Sequence, residues 1–263
     1  MNEVMRILLE RKSVRAYEKR EIGEREKAEI LAATMRAPTA GNMMLYSIIE
    51  VKDQSAKDTL AGTCDNQPFI ATAPLVLLFL ADYQRWFDYF KQSGMEKLTR
   101  QRGELFRTPQ EGDLLISCCD ALIAAQTAVI AAESLGIGSC YIGDIMEKYE
   151  VHRDLFALPQ YALPICLVCF GYPTGQQKAR PRTPRFDDKF IVFENRYKRL
   201  TPEEYTEMFR EREERARAAA TTDPAAADAA RSVGQRMYFQ KFNADFSKEM
   251  TRSVREMLRS WTG

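Results

Sequence analysis

Two short basic runs hold the side chains best suited to an anion. In RKSVRAY, Arg11, Lys12 and Arg15 surround the hydroxyl of Ser13; in KARPRTPR, Lys178, Arg180, Arg182 and Arg185 stand among prolines. Prolines keep such a run extended, so residues two apart, here Arg180 and Arg182, point the same way. Guanidinium forks match phosphate oxygens in pairs. Each run alone also reads as a solvated loop; a shared phosphate site needs both.

Other chemistries find less support. LGIGSCYIGD has glycines at 136, 138 and 143, but the spacing is not G-x-G-x-x-G and the segment follows a helical pattern, so the dinucleotide fingerprint fails. No G-x-x-x-x-G-K-[ST] loop occurs. The sequence has one histidine, His152, so a multi-histidine metal site or a histidine triad cannot be built within one chain. His152 lies in polar EKYEVHRDLF and is expected at the surface. Cys166-x-x-Cys169 falls in LPICLVCFGYP, which reads as a buried strand; residues three apart then face opposite sides and cannot share a ligand. All six cysteines are expected to be reduced and packed.

The elements that must position these residues follow from apolar periodicity. NEVMRILLER and GEREKAEILAATMRAP are helical, the second stopped by Pro38. YSIIEVK alternates as a short strand, and APLVLLFLADY and ALPICLVCFGYP are continuous apolar runs that suit buried strands. DLLISCCDALIAAQTAVIAAESLGIG is the longest helix pattern, apolar nearly all round and ended by Gly136. Such a helix is expected to run through the core or a subunit interface. SCYIGDI reads as a short element, KYEVHRDLFALP as a short helix, and TRQRGELFRTPQEG as a mobile loop. FIVFENRYK is expected to be an edge or exchanged strand. TPEEYTEMFREREERARAAA has a helix start at Thr201, Pro202 and Glu204, and TTDPAAADAA reads as a linker. Tyr238, Phe242, Phe246, Met250, Val254 and Leu258 recur every fourth residue as the packing stripe of a last helix. Strands and helices alternate irregularly, which favours α+β over a doubly wound sheet. The expected division is 1–200 as the main domain and 201–263 as a C-terminal helical extension on the body or a partner subunit.

The chain has 263 residues, with 38 Lys and Arg against 37 Asp and Glu. Net charge thus gives no reason to expect nucleic acid or an anionic membrane as partner. No unbroken apolar run reaches the ~18–20 residues of a membrane span. MNEVMRILLERKSV lacks the apolar stretch of a signal peptide, so the protein is expected in the cytoplasm.

RKSVRAY, then MRAPTAGNMMLYSIIEVKD, then the Ala-rich helix with AAESLGIGSCYIGD, then LPICLVCFGYPTGQQKARPRTP, resemble in type and order the FMN-dependent nitroreductase/flavin reductase family. Within it the chain looks most like the NADPH-preferring members with an extended C-terminal region. The resemblance implies a nitroreductase-like fold: a central, mainly antiparallel sheet flanked by helices, in an intertwined homodimer. It implies FMN as cofactor, NADPH or NADH as donor, and a nitroaromatic, quinone, azo compound or flavin as small-molecule acceptor. Other flavin chemistry on the same fold, such as ene-reduction or dehalogenation, and a non-catalytic flavin-binding module remain alternatives.

By the same resemblance, Arg11, Lys12, Ser13 and Arg15 match the element that holds the FMN phosphate and ribityl chain, with Arg15 near the flavin N1/O2 edge. Thr39 matches a residue touching the flavin, usually from the other subunit, and Gln67 a glutamine that contacts it. Tyr141, Ile142, Gly143 and Asp144 match a Y-I-G-G-like segment whose backbone faces the isoalloxazine; Asp144 departs from the second glycine. Arg180 and Arg182 match a K-x-R pair on the phosphate. No side chain need act as nucleophile or proton donor. Trp86, Phe87, Tyr89 and Phe90 could wall the pocket, with core or dimer packing the plainer reading. The segment 91–112 looks longer than in compact relatives and could form a lid. Arg231 and Arg236 are candidates to read an NADPH 2′-phosphate.

Overall fold

A computed structural model describes residues 1–222 and 232–263. Four strands make one antiparallel sheet in the order β1-β2-β4-β3: β1 Tyr46–Glu50, β2 Leu75–Asp82, β3 Gly138–Ile142 and β4 Ala162–Gly171. The helices are α1 Glu3–Glu10, α2 Glu24–Thr34, α3 Gln54–Thr63, α4 Phe69–Thr72, α5 Gln84–Gln92, α6 Met95–Gln101, α7 Glu111–Ser134, α8 Tyr149–Leu155, α9 Gly175–Ala179, α10 Pro202–Thr222, α11 Val233–Met237 and α12 Asp245–Thr262.

β2 and β4 are buried on both faces, and their period-2 alternation divides the core. Leu75, Leu77, Phe79, Cys166, Val168 and Phe170 pack with α2 and the alanine stripe of α7. Val76, Leu78, Leu80, Leu167 and Cys169 face the other side, with Leu60 of α3 and Cys140 and Ile142 of β3. Cys166 and Cys169 thus lie on opposite faces, as the strand reading requires. α7 ends at Gly136, whose φ of +75° lets Ile137 N return to Ala132 O.

α7 has the length and apolarity of a membrane span. Its Ala121, Ala124, Ala125, Ala128 and Ala132 nevertheless pack on the sheet with no exposure, as in a core helix. The opposite side is not covered by the described residues: Leu115 is 67% exposed, and Ile116, Leu122 and Ile123 are exposed beside it.

The compact units are Met1–Arg182 with Glu249–Gly263, and Thr183–Lys248. Glu249–Gly263 groups with the first unit because Trp261 is fully buried against Tyr161 and donates Nε1–H to Gln110 O at 3.0 Å. Ser253 Oγ also accepts from Tyr149 N at 2.8 Å. In the second unit α10 packs against α11.

Five sequence expectations are corrected. Cys119 is exposed rather than packed, because it shares the open side of α7 with Leu115 and Ile123. His152 is fully buried: its Nδ1–H donates to Ile145 O at 2.8 Å and Nε2 meets Thr63 Oγ1 at 2.8 Å. These partners replace water for the neutral ring, which is why a polar sequence neighbourhood misled. FIVFENRYK forms no strand; Asp188–Phe190 is a short 3-10 turn, and Ile191, Val192 and Tyr197 are exposed in the chain. The fourfold stripe is broken, because Tyr238–Phe242 is a π-helical turn and α12 restarts at Asp245. The residues that α12 buries are Ser253, Met257 and Trp261, while Leu258 is exposed. TRQRGELFRTPQEG is partly helical in α6, and Phe106 stacks on Phe87 at 5.7 Å between ring centroids.

Candidate functional site

The segment after α1 runs along the edge of the sheet. Ser13 bridges Ser139 in parallel and Val14 N donates to Ser139 O at 2.9 Å; Tyr17 then bridges Pro173 antiparallel. Two glycines permit this approach. A Cβ on Gly138 would stand 2.5 Å from Val14 Cγ2, and one on Gly171 would stand 2.5 Å from the Tyr17 ring. Any other residue would push the basic segment off the sheet.

The second basic run is brought to the same place by β4 and α9. Thr174 caps α9 by accepting from Gln177 N at 3.3 Å. Pro181 then holds Arg180 extended, with φ −61° and ψ 132°. Arg180 Nη2 donates to Ser13 O at 3.0 Å and Arg182 Nη1 to Leu9 O at 2.9 Å. Lys12 Nζ reaches back to Lys178 O at 2.6 Å and Arg180 O at 2.5 Å.

Arg11, Lys12, Arg180 and Arg182 line one cleft of about 590 Å³. With Arg6 and Lys178, six cations face two carboxylates, Glu10 and Glu133, across that lining. The Nε of Arg11 is buried without a hydrogen-bond partner among the described residues, a donor left for an incoming acceptor. Burial pushes Glu133 up to about 7 against the pull of Arg11 and Lys12, and its Oε1 is buried without a hydrogen-bond partner among the described residues. Ser13 and Arg15 are not in the cleft wall but flank it. Burial raises the Cys140 thiol, opposed by Arg15 and Arg11, a Ser13 hydrogen bond and Arg180. All four groups therefore converge near Cys140.

A second group lies beyond the buried thiols Cys140, Cys169 and Cys64, which are close enough to influence one another. Gln67 Nε2 donates to Asp144 Oδ2 at 2.8 Å and to Cys64 O at 2.9 Å. Ile142 turns its side chain into the core, Tyr141 OH donates to Gln126 Oε1 at 3.2 Å, and Gly143 is exposed with open space where a Cβ would stand. The 141–144 segment thus offers backbone rather than side chains on its open side. Burial pushes Cys64 up to about 12 and Cys166 up to about 12, so neither is a ready nucleophile.

Thr39 stands apart from both groups. Its hydroxyl donates to Asp120 Oδ2, and the same carboxylate accepts from Ala40 N at 3.0 Å and Leu45 N at 3.1 Å. Asp120, 2% exposed within the apolar α7, fixes the APTAGN turn. Sequence reading passed over it; a lone acid inside an Ala-rich helix was the available signal. Of the aromatics, Phe87 is core, whereas Trp86 donates Nε1–H to Met43 O at 2.7 Å and packs on Phe90. Arg236 is half-buried in the second unit, and Arg231 lies outside the described residues.

Residues 8–172 match the nitroreductase family. The chain belongs to the nitroreductase family. Nitroreductase relatives span most of its length. It is 31% identical over 185 residues to the Bacillus subtilis FMN reductase [NAD(P)H], covering 70% of this chain and 72% of the relative. It is 27% identical over 200 residues to the oxygen-insensitive NADPH nitroreductase of Salmonella typhimurium, covering 76% and 77%. Among solved structures, a hypothetical oxidoreductase of Bacillus subtilis superposes with a TM-score of 0.78 at 25% identity, covering 99% of this chain and 98% of that one. The nitroreductase fold, an α+β architecture on an antiparallel sheet, therefore accounts for nearly the whole chain.

Proposed function

We propose that this nitroreductase is an FMN-dependent oxidoreductase that passes reducing equivalents from NAD(P)H to small-molecule acceptors of the nitroaromatic, quinone, azo or flavin class by a ping-pong reaction. The observation that carries the reading is the cationic cleft with the unpartnered Arg11 Nε. A lining with six cations against two carboxylates suits a phosphate monoester, and the cleft borders Gly138 of β3, the strand that leads into the 141–144 segment.

Bound FMN supplies reversible hydride acceptance. The chain supplies position and electrostatics. Arg11, Ser13, Arg180 and Arg182 are assigned to the phosphate and ribityl chain, with Lys12 bracing the two basic runs. Arg15 is a fixed cation that favours a cofactor gaining negative charge on reduction. Gln67 and the backbone of Tyr141, Ile142, Gly143 and Asp144 are assigned to the ring, and Thr39 to a flavin held mainly by a second copy of the chain. A homodimer is part of the proposal, supported by the uncovered face of α7. Cytoplasmic residence is part of it too, supported by six free cysteines.

The test is the visible spectrum of the purified protein. Oxidised-flavin bands that bleach anaerobically on addition of NADPH or NADH are the expected result. A colourless protein that takes up no added FMN overturns the proposal. A yellow protein that oxidises neither donor with any acceptor leaves a flavin-binding module instead.

A further inference from the structure

Where the family's Y-I-G-G-like segment has its second glycine, this chain has Asp144, and that carboxylate is engaged. Both partners of Gln67 Nε2, the Cys64 carbonyl at 2.9 Å and the Asp144 carboxylate at 2.8 Å, are acceptors. The amide must therefore turn its nitrogen toward them, and both its protons are consumed. Only the carbonyl Oε1 is left, and no hydrogen bond from a described residue reaches it.

The surroundings hold this arrangement. Asp65 and Asn66, immediately before Gln67, both have left-handed φ values, +56° and +51°. Two such residues in succession are costly and persist where the local structure imposes them. Gln67 N is tied to Ala61 O at 2.8 Å. Behind Asp144 stands Glu147, 3% exposed, whose backbone N donates to Asp144 O at 3.0 Å. Its Oε1 is buried with no hydrogen-bond partner among the described residues. Burial first, then the nearby Asp144 and Asp65 carboxyls, push Glu147 up to about 7 against Lys148.

The oxidised isoalloxazine ring has a single N–H, at N3, between two carbonyl oxygens. A group that can only accept bonds that ring at N3 and nowhere else on the same edge. We propose that Asp144, braced by Glu147, is a positioning residue that makes Gln67 a pure hydrogen-bond acceptor and so selects flavins with a free N3–H. This rests on the reading that Gln67 touches the bound flavin.

The test titrates the full chain, freed of cofactor, with FMN and with N3-methyl-FMN, following flavin fluorescence. The wild type is expected to bind FMN at least about tenfold more tightly, because the methyl analogue leaves the Gln67 oxygen unpaired. Asp144→Gly frees one amide proton and is expected to bring the ratio toward one. Asp144→Asn can still turn its oxygen to Gln67 and should keep most of the preference. Equal wild-type affinities for both flavins, or full preference retained by Asp144→Gly, would overturn the positioning role while leaving the cofactor reading intact. The wild-type comparison decides even if Asp144→Gly fails to fold. Failure of the wild type to bind FMN at all would overturn both.

Discussion

Lys12 and Arg180 are tied in both directions: the ammonium of Lys12 donates to the Arg180 carbonyl, and the guanidinium of Arg180 donates to the carbonyl of Ser13, next to Lys12. This pair of bonds closes the two basic runs into one cleft. Lys12 is therefore a brace more than a ligand, a role its charge alone does not reveal. Lys12→Met is expected to weaken FMN binding by about tenfold, the worth of a charge-assisted hydrogen bond or two. Flavin fluorescence titration checks it. An unchanged affinity would mean the cleft holds without the brace.

The cations divide by task. Arg11→Ala and Arg182→Ala remove donors from the cleft wall and should weaken FMN binding by roughly 10- to 100-fold, in proportion to lost phosphate contacts. Arg15→Ala should leave binding less affected, make the midpoint potential more negative and slow reduction by NADPH. Spectroelectrochemistry and stopped-flow reduction of the holoprotein separate the two groups. Equal FMN affinity in all three variants would sink the assignment.

Much of this fold was legible in the sequence because apolar periodicity reports burial directly. β2, β4 and α7 were recognisable as continuous apolar runs, and Gly136 as the stop of α7. The cradle was legible only as two candidate runs. What was hidden depends on pairing across the chain. His152 is buried because Ile145 O and Thr63 Oγ1 happen to meet both ring nitrogens. α12 buries Trp261 and Ser253, which are off the regular stripe, because the π-helical turn and the break before Asp245 reset the helical phase. Lys12 reads as surface charge until Lys178 and Arg180 are placed beside it.

Asp120 offers a stability test independent of cofactor. Its carboxylate accepts from Thr39 Oγ1, Ala40 N and Leu45 N. Asp120→Ala leaves all three donors without that acceptor in a buried setting, which is expected to cost about 3–5 kcal/mol. Urea unfolding measures it. Asp120→Asn keeps one acceptor oxygen and should recover part of the loss. If Asp120→Ala is as stable as the wild type, the APTAGN turn is held by other contacts.

Glu133 links the cleft to pH. Its folded pKa, about 7, lies above the usual carboxylate value because burial disfavours the charged form. A group with a raised folded pKa binds more protons folded than unfolded, so its stabilising contribution is full below about 4.5 and is lost as pH rises through about 7. Relative to Glu133→Gln, the wild type without cofactor should therefore lose stability across that interval, read as a falling difference in urea midpoint. The same proton bears on the ligand. A neutral Glu133 spares the phosphate a repelling charge, so wild-type FMN affinity should fall as pH rises from 6 to 8 by more than it does in Glu133→Gln. The variant supplies the correction for the phosphate's own ionisation near pH 6. Parallel pH profiles for the two proteins would show that Glu133 does not titrate in the cleft.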